Sequence, residues 1–180
     1  AGSKALDHSA DLAGIEAVIT SSKFLDRMES GDLGKIENRF HFIEEIRTAI
    51  RLKDKIRIFL RSKRSAQSLL KKLDLLNVNH ADPAVILFTS GTESLPKGVP
   101  LSHFNLLSNQ RACLQAVQMR ADDILYGVLP PFHSFGFSVT GILPILAGLR
   151  IGFAPDPTNS RGMAKDIEEW KATLFCCAPS

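Results

Sequence analysis

The segment FTSGTESLPKGV, Phe88 to Val99, gathers groups that handle phosphate. Thr89, Ser90, Thr92 and Ser94 supply hydroxyls along one short stretch. Gly91 and Gly98 allow backbone N–H groups to approach an anion closely. Lys97 adds a point charge, and Pro96 stiffens the chain beside it. The order is not that of the common P-loop, which needs a glycine directly before the lysine and Ser or Thr after it. Here Pro96 precedes Lys97 and Gly98-Val99 follow. No G-x-G-x-x-G follows a strand-like run, so the dinucleotide fingerprint is absent too. The second candidate is His133, which stands after two prolines in LPPFHSFGF, between Phe132 and Phe135. An imidazole there can hydrogen-bond a carboxylate. His103, at a helix start, reads as structural, and Cys113, Cys176 and Cys177 read as buried packing.

The elements that must position these residues alternate strand and helix. AVILFT (84–89) predicts a buried strand, with the hydroxyl-rich loop at its carboxyl end, where ligands bind in α/β sheets. The loop runs from Ser90 to Gly98, and Ser102 predicts the N-cap of a long helix over roughly 103–119. DILYGVLP (123–130) predicts a strand, 136–148 an apolar helix and RIGFA (150–154) a strand. Ser160 predicts the cap of a helix whose Met163, Ile167 and Trp170 share a face, and ATLFCCAP (172–179) predicts the last strand. Upstream, residues 4–14 predict a short helix ended by Gly14, IEAVIT (15–20) a strand, and SSKFLDRME (21–29) a helix. Residues 36–63 carry apolar positions at both strand and helix periods, and helix is predicted mostly from about Asp54 to Leu73. The alternation implies an α/β fold, a mostly parallel sheet flanked by helices. The expected organisation is one piece of a larger domain. Residues 1–80 form an α/β part with a basic segment, and residues 81–180 a βαβαβ part with the phosphate loop.

The chain has 180 residues, 44% hydrophobic and 23% charged, which excludes collagen-like, coiled-coil and disordered classes. Three cysteines, two of them adjacent, make no disulfide framework, and no Cys–His spacing fits zinc. A reducing compartment, the cytoplasm, is expected. The start AGSKALDHSADLAG lacks the apolar core of a signal peptide. Between Ile124 and Phe153 only His133 and Arg150 can carry charge, but Pro130, Pro131 and Pro144 break the run. It therefore reads as strand, loop, buried helix and strand, not as a spanning helix. Charge is uneven: residues 1–34 carry a net −3, residues 35–72 a net +8, and residues 73–180 a net −2. The basic zone reads either as a solvated helix face with Lys and Arg stems over apolar neighbours, or as a docking patch. The docking partner would be acidic: an anionic lipid surface or an acidic carrier protein. Nucleic acid is not expected, because the zone has only Phe40, Phe42 and Phe59 as aromatics and no recognition motif.

Taken whole, FTSGTESLPKGV resembles the phosphate-binding signature Y/F-T-S-G-[ST]-T-G-x-P-K-G-V of adenylate-forming enzymes, the superfamily of acyl-CoA synthetases, luciferases and peptide-synthetase adenylation domains. Phe88, Thr89, Ser90, Gly91, Thr92, Pro96, Lys97, Gly98 and Val99 fit it. LSHFNLL (101–107) resembles the helix start T-H-x-N-L, and LPPFHSFGF (129–137) resembles L-P-x-F-H-x-x-G. The similarity covers about residues 82–180. Glu93 and Ser94 depart from the usual Thr-Gly. Loss of that glycine removes a permissive hinge, and a carboxylate beside a triphosphate is repulsive unless it faces solvent or shares the cation. A Glu in this loop also resembles the acyl-acyl carrier protein synthetase branch, found with lysophospholipid acyltransferases.

The resemblance implies part of the large N-terminal domain of an ATP-dependent acyl-acyl carrier protein or acyl-CoA synthetase. A fatty acid carboxylate attacks the α-phosphate of ATP, giving acyl-adenylate and pyrophosphate, and the acyl group then passes to a thiol on CoA or a carrier protein. It implies that Thr89, Ser90, Gly91, Thr92, Glu93, Ser94, Lys97 and Gly98 hold the nucleotide phosphates, with Lys97 and His133 as the catalytic pair. Phe135, Phe137 and the apolar helix beyond read as the wall of an acyl tunnel or as plain core. Mg²⁺ is expected mainly on residues outside this chain. So are an adenine-binding segment and a small C-terminal domain with its catalytic lysine, so the chain alone is expected to be inactive. The parent is expected in the cytoplasm, and the basic segment 35–72 leaves room for peripheral contact at the membrane's inner face. Two other readings stand beside this one: a non-catalytic carrier- or lipid-binding module of the same fold, and an unrelated phosphate-loop nucleotidase, which the residue order around Lys97 disfavours.

Overall fold

Gly14 ends the first helix as its residue type requires. Helix α1 (Ser3–Leu12) gives way to Gly14 at φ +60°, a left-handed turn that costs glycine little. The computed structural model describes residues 2–27, 32–89 and 95–177. It folds as two compact units, residues 1–79 with 88–99, and residues 80–87 with 100–180.

In the first unit, strand β1 (Val18–Thr20) is shorter than IEAVIT predicts and is followed by α2 (Ser22–Arg27). It pairs in parallel with β2 (Phe40–Phe42), Val18 opposite Phe40 and Thr20 opposite Phe42. The stretch with mixed periodicity resolves into a 3₁₀ turn (Gly34–Arg39), β2, and helices α3 (Ile43–Ala49), α4 (Leu52–Ser62) and α5 (Ala66–Lys72). The single long helix expected there is thus divided. Ser65 caps α5, its hydroxyl accepting from the Ser68 N–H at 3.3 Å.

In the second unit, β5 (Ile124–Gly127) is the centre of a parallel sheet in the order β6, β5, β7, with β6 at Arg150–Phe153 and β7 at Leu174–Cys176. Ile124 stands opposite Arg150, and Leu125 opposite Leu174. A central parallel strand is covered on both faces, and Leu125 and Tyr126 are buried accordingly. Tyr126 packs on Trp170 of α9 (Ser160–Trp170), ring centroids 5.5 Å apart, and its hydroxyl donates to Asp166 Oδ2 at 3.0 Å. Burial, then the Asp166 carboxylate, push its phenol up. Asn159, not Ser160, caps α9: its Oδ1 accepts from the Gly162 N–H at 2.9 Å. The mostly parallel α/β architecture expected from the alternation is what the structure shows.

Candidate functional site

The segment that the sequence singles out for phosphate joins two strands. Strand β3 (Pro83–Thr89) pairs with β4 (Lys97–Ser102), which precedes helix α6 (His103–Ala116). The sequence reading placed the whole of 90–98 in a loop leading directly to the helix. Instead Lys97 and Gly98 open a strand, and the pair holds Thr89 and Lys97 at the two ends of the intervening segment. Pro100 donates nothing to a ladder, and it is tolerated in β4 because a two-stranded sheet has only edges. β3 is not the buried strand expected: Val85, Leu87 and Phe88 are half-buried, and Ala84, Ile86 and Thr89 are exposed. Lys97 is exposed, with its charge open to solvent, and Gly98 is half-buried. Ser90, Gly91, Thr92, Glu93 and Ser94 lie outside the described residues.

Ser102 caps α6 as predicted, and the cap is reciprocal. Its Oγ accepts from the Asn105 N–H at 3.1 Å, while its own N–H donates to Asn105 Oδ1 at 3.0 Å. The next orphan donors of the helix are also used: His103 N–H reaches the Asp82 carbonyl at 3.2 Å, and Phe104 N–H reaches that of His80 at 2.9 Å. The approach to β3 is therefore tied to the head of α6. His103 is the first residue of α6, the helix start where the sequence placed it.

His133 precedes helix α7 (Ser134–Gly136) and is exposed, its ring 4.8 Å from that of Phe132. Its N–H donates to the Pro130 carbonyl at 3.1 Å, and its carbonyl accepts from Phe137 at 2.7 Å, so the backbone fixes where the imidazole starts. Gly136 explains the glycine of the L-P-x-F-H-x-x-G pattern: a Cβ there would run into the Pro130 carbonyl. The chain behind continues as a π-helical segment (Phe137–Ile142) and α8 (Leu143–Ala147), so the apolar helix expected over 136–148 is present but divided. Thr140, buried, donates from its hydroxyl to the Gly136 carbonyl at 2.7 Å, a bond that competes with the regular helical ladder.

Between β3, β4, α6 and the α7–π segment lies a cavity of about 400 Å³. Leu87, Leu101, Leu106, Phe135, Phe137 and Val139 supply its apolar wall. Phe135 and Phe137 therefore line a space and are not plain core. One polar patch interrupts the wall. Gln110, 1% exposed, donates from Nε2 to Ser138 Oγ at 2.6 Å, and Ser138 Oγ donates to Asn109 Oδ1 at 2.7 Å. Sequence reasoning missed this patch; its signal was a polar Ser-Asn-Gln run inside an otherwise mixed helix, which reads equally as solvated surface. Among the described residues no three His, Cys, Asp or Glu side chains gather where they could hold a metal ion.

The α/β arrangement of parallel-paired strands and helices is a fold this chain shares with the solved structures named below. The family model for AMP-binding enzyme matches residues 1–180, and the chain belongs to that family. Among curated relatives, the probable 4-coumarate–CoA ligase 3 of Dictyostelium discoideum is 45% identical over 76 residues, which are 41% of this chain and 14% of that protein. The long-chain-fatty-acid–CoA ligase of Bacillus subtilis is 34% identical over 119 residues, 61% of this chain and 20% of that protein. The chain thus spans a fifth or less of the length of these relatives. Two solved structures share its fold. The O-succinylbenzoate coenzyme A synthetase of Bacillus subtilis, in complex with AMP, gives a TM-score of 0.70 over 97% of this chain and 39% of its own, at 14% identity. The fatty acyl-adenylate ligase from L. pneumophila gives 0.65 over 97% and 28%, at 23% identity.

Proposed function

We propose that this chain is the phosphate- and acid-binding part of an ATP-dependent fatty acid–thiol ligase. The observation that supports it most is the family match across residues 1–180, together with a signature segment held between β3 and β4. In this reading Thr89, Ser90, Gly91, Thr92, Glu93, Ser94 and Gly98 wrap the β- and γ-phosphates through hydroxyls and backbone N–H groups. The donor set suits them: hydroxyls, glycine backbone and an exposed lysine are phosphate ligands. Lys97 neutralises charge that moves onto the departing pyrophosphate. His133 hydrogen-bonds the substrate carboxylate and aims it at the α-phosphorus, so catalysis is positioning plus charge stabilisation. Mg²⁺, travelling with ATP, supplies further neutralisation of the phosphates. The apolar cavity behind Phe135 and Phe137 suits an alkyl chain, and the acceptor is the thiol of CoA or of an acyl carrier protein.

The test is ATP–pyrophosphate exchange by the full-length parent across carboxylic acids from acetate to palmitate. Exchange with one chain-length class establishes adenylation and names the substrate. No exchange with any acid, from folded protein with Mg²⁺ present, rejects the ligase reading and favours a carrier- or lipid-binding module, with Glu93 and Ser94 the first residues to examine.

A further inference from the structure

The segment from Arg51 to Arg64 contains Arg51, Lys53, Lys55, Arg57, Arg61, Lys63 and Arg64 against a single acid, Asp54. Helix α4 within it carries Leu52, Ile56, Phe59 and Leu60, spaced as one face of a helix. At about 100° per residue, these four fall within an arc about 100° wide. They are 72, 52, 60 and 63% exposed, in that order. Lys53 stands next to Leu60 on one shoulder of the arc, and Lys55 next to Phe59 on the other. Lys63 Nζ sits 5.2 Å over the Phe59 ring, at the arc itself. Arg57, Arg61 and one apolar residue, Ile58, occupy the far side. Among the described residues only Arg57 of this segment is in an ion pair, with Asp54 at 3.0 Å.

We propose that α4 lies flat on an anionic lipid surface. Its apolar arc enters the boundary between headgroups and acyl chains, while the shoulder lysines and Lys63 lay their stems along the arc and bring their ammonium groups to lipid phosphates. Charge complementarity names the occupant, since a negatively charged leaflet attracts a cluster of this size. A straight apolar stripe with cations on both shoulders fits a flat, fluid surface along its whole length; the groove of an acidic protein is the other occupant such a stripe can take, and the experiment below separates the two. The helix is far too short to span a bilayer, and no described helix of this chain is long and apolar enough to do so. It would instead hold the enzyme where fatty acids dissolve.

The experiment is sedimentation of the full chain with phosphatidylcholine vesicles, with and without phosphatidylglycerol. We expect binding only to the anionic vesicles, weakened by added salt. Ile56→Glu with Phe59→Glu should reduce it about tenfold or more, and so should Lys53→Glu with Lys55→Glu. All four side chains are on the surface, so circular dichroism should report an unchanged fold; if the glutamate pair unfolds the protein, Ile56→Ser with Phe59→Ser serves the same purpose. Absence of binding to anionic vesicles overturns the proposal. So does binding that both apolar variants leave intact, which would place the contact elsewhere. Capture of an acidic carrier protein by wild type and not by the lysine pair, with vesicles left in the supernatant, would assign α4 to a protein partner instead.

Discussion

At the scale of single residues, Lys97 carries the proposal most directly. It stands exposed at the start of β4, and no ion pair among the described residues engages it. Lys97→Ala in the full-length parent should lower fatty-acid-dependent pyrophosphate exchange more than tenfold, over about 1.4 kcal/mol of transition-state stabilisation. Unchanged exchange would remove Lys97 from the site. Glu93 and Ser94 make the opposite prediction. On the proposed reading, replacing them together, Glu93→Thr with Ser94→Gly, takes a carboxylate out of the phosphate signature and gives it back its usual glycine, so ATP should bind more tightly by calorimetry. Equal or weaker affinity would show that the carboxylate is productive where it stands.

At the scale of elements, the α6 cap is the feature that joins sequence to site. Ser102→Ala removes the acceptor of the Asn105 N–H and should cost about 1 kcal/mol, read as a lower denaturation midpoint. Ser102→Asp should retain most of it, which distinguishes lost capping from lost packing. This cap was legible because it depends on local residue types alone. So was the glycine stop after α1, and so was β5, whose apolar run admits little but a buried strand. β4 was not legible: KGVPLS contains glycine and proline, and only the presence of β3 beside it makes those residues a strand. The division of residues 43–72 into three helices was also hidden, because apolar positions over 36–63 stand at both strand and helix periods and most of them stay exposed. At the candidate site, the family was legible in the signature, as the match across the chain shows, whereas the cavity and its Asn109–Ser138–Gln110 patch arise from packing between segments about thirty positions apart.

At the scale of the whole molecule, stability should be limited on both sides of neutrality by groups around β5. Asp123 accepts from the Arg120 N–H at 2.6 Å and from the Thr173 hydroxyl at 2.7 Å. These bonds, the Arg120 backbone bond foremost, hold its carboxyl below the usual 3.8. A carboxyl lowered by folding stabilises above its unfolded value, and that contribution fades as the pH drops through the folded one. Tyr126 works in the other direction. Its phenol is raised above 10.0 by burial, so its contribution is complete below that value and is lost in stronger alkali. Thr173→Val removes one of the two bonds to Asp123 and also the acceptor of the Ile124 N–H, so it should lower the melting temperature at every pH and move the acid unfolding midpoint to higher pH as well. Thermal melts across pH check both arms; an unmoved acid limb would show that the Arg120 bond alone sets it.

The π-helical turn from Phe137 to Ile142 has a consequence for how such pockets change over time. A π turn holds one residue more than the α-helix it interrupts. Deleting one residue there would restore the regular count and swing α7 by about 100° about the helix axis relative to α8. Phe135 and Ser134 would leave the cavity wall together, and the prolines of 130–131 would have to follow. A lineage could thus exchange the lining of this cavity by a single codon loss between residues 140 and 142, without altering one lining side chain.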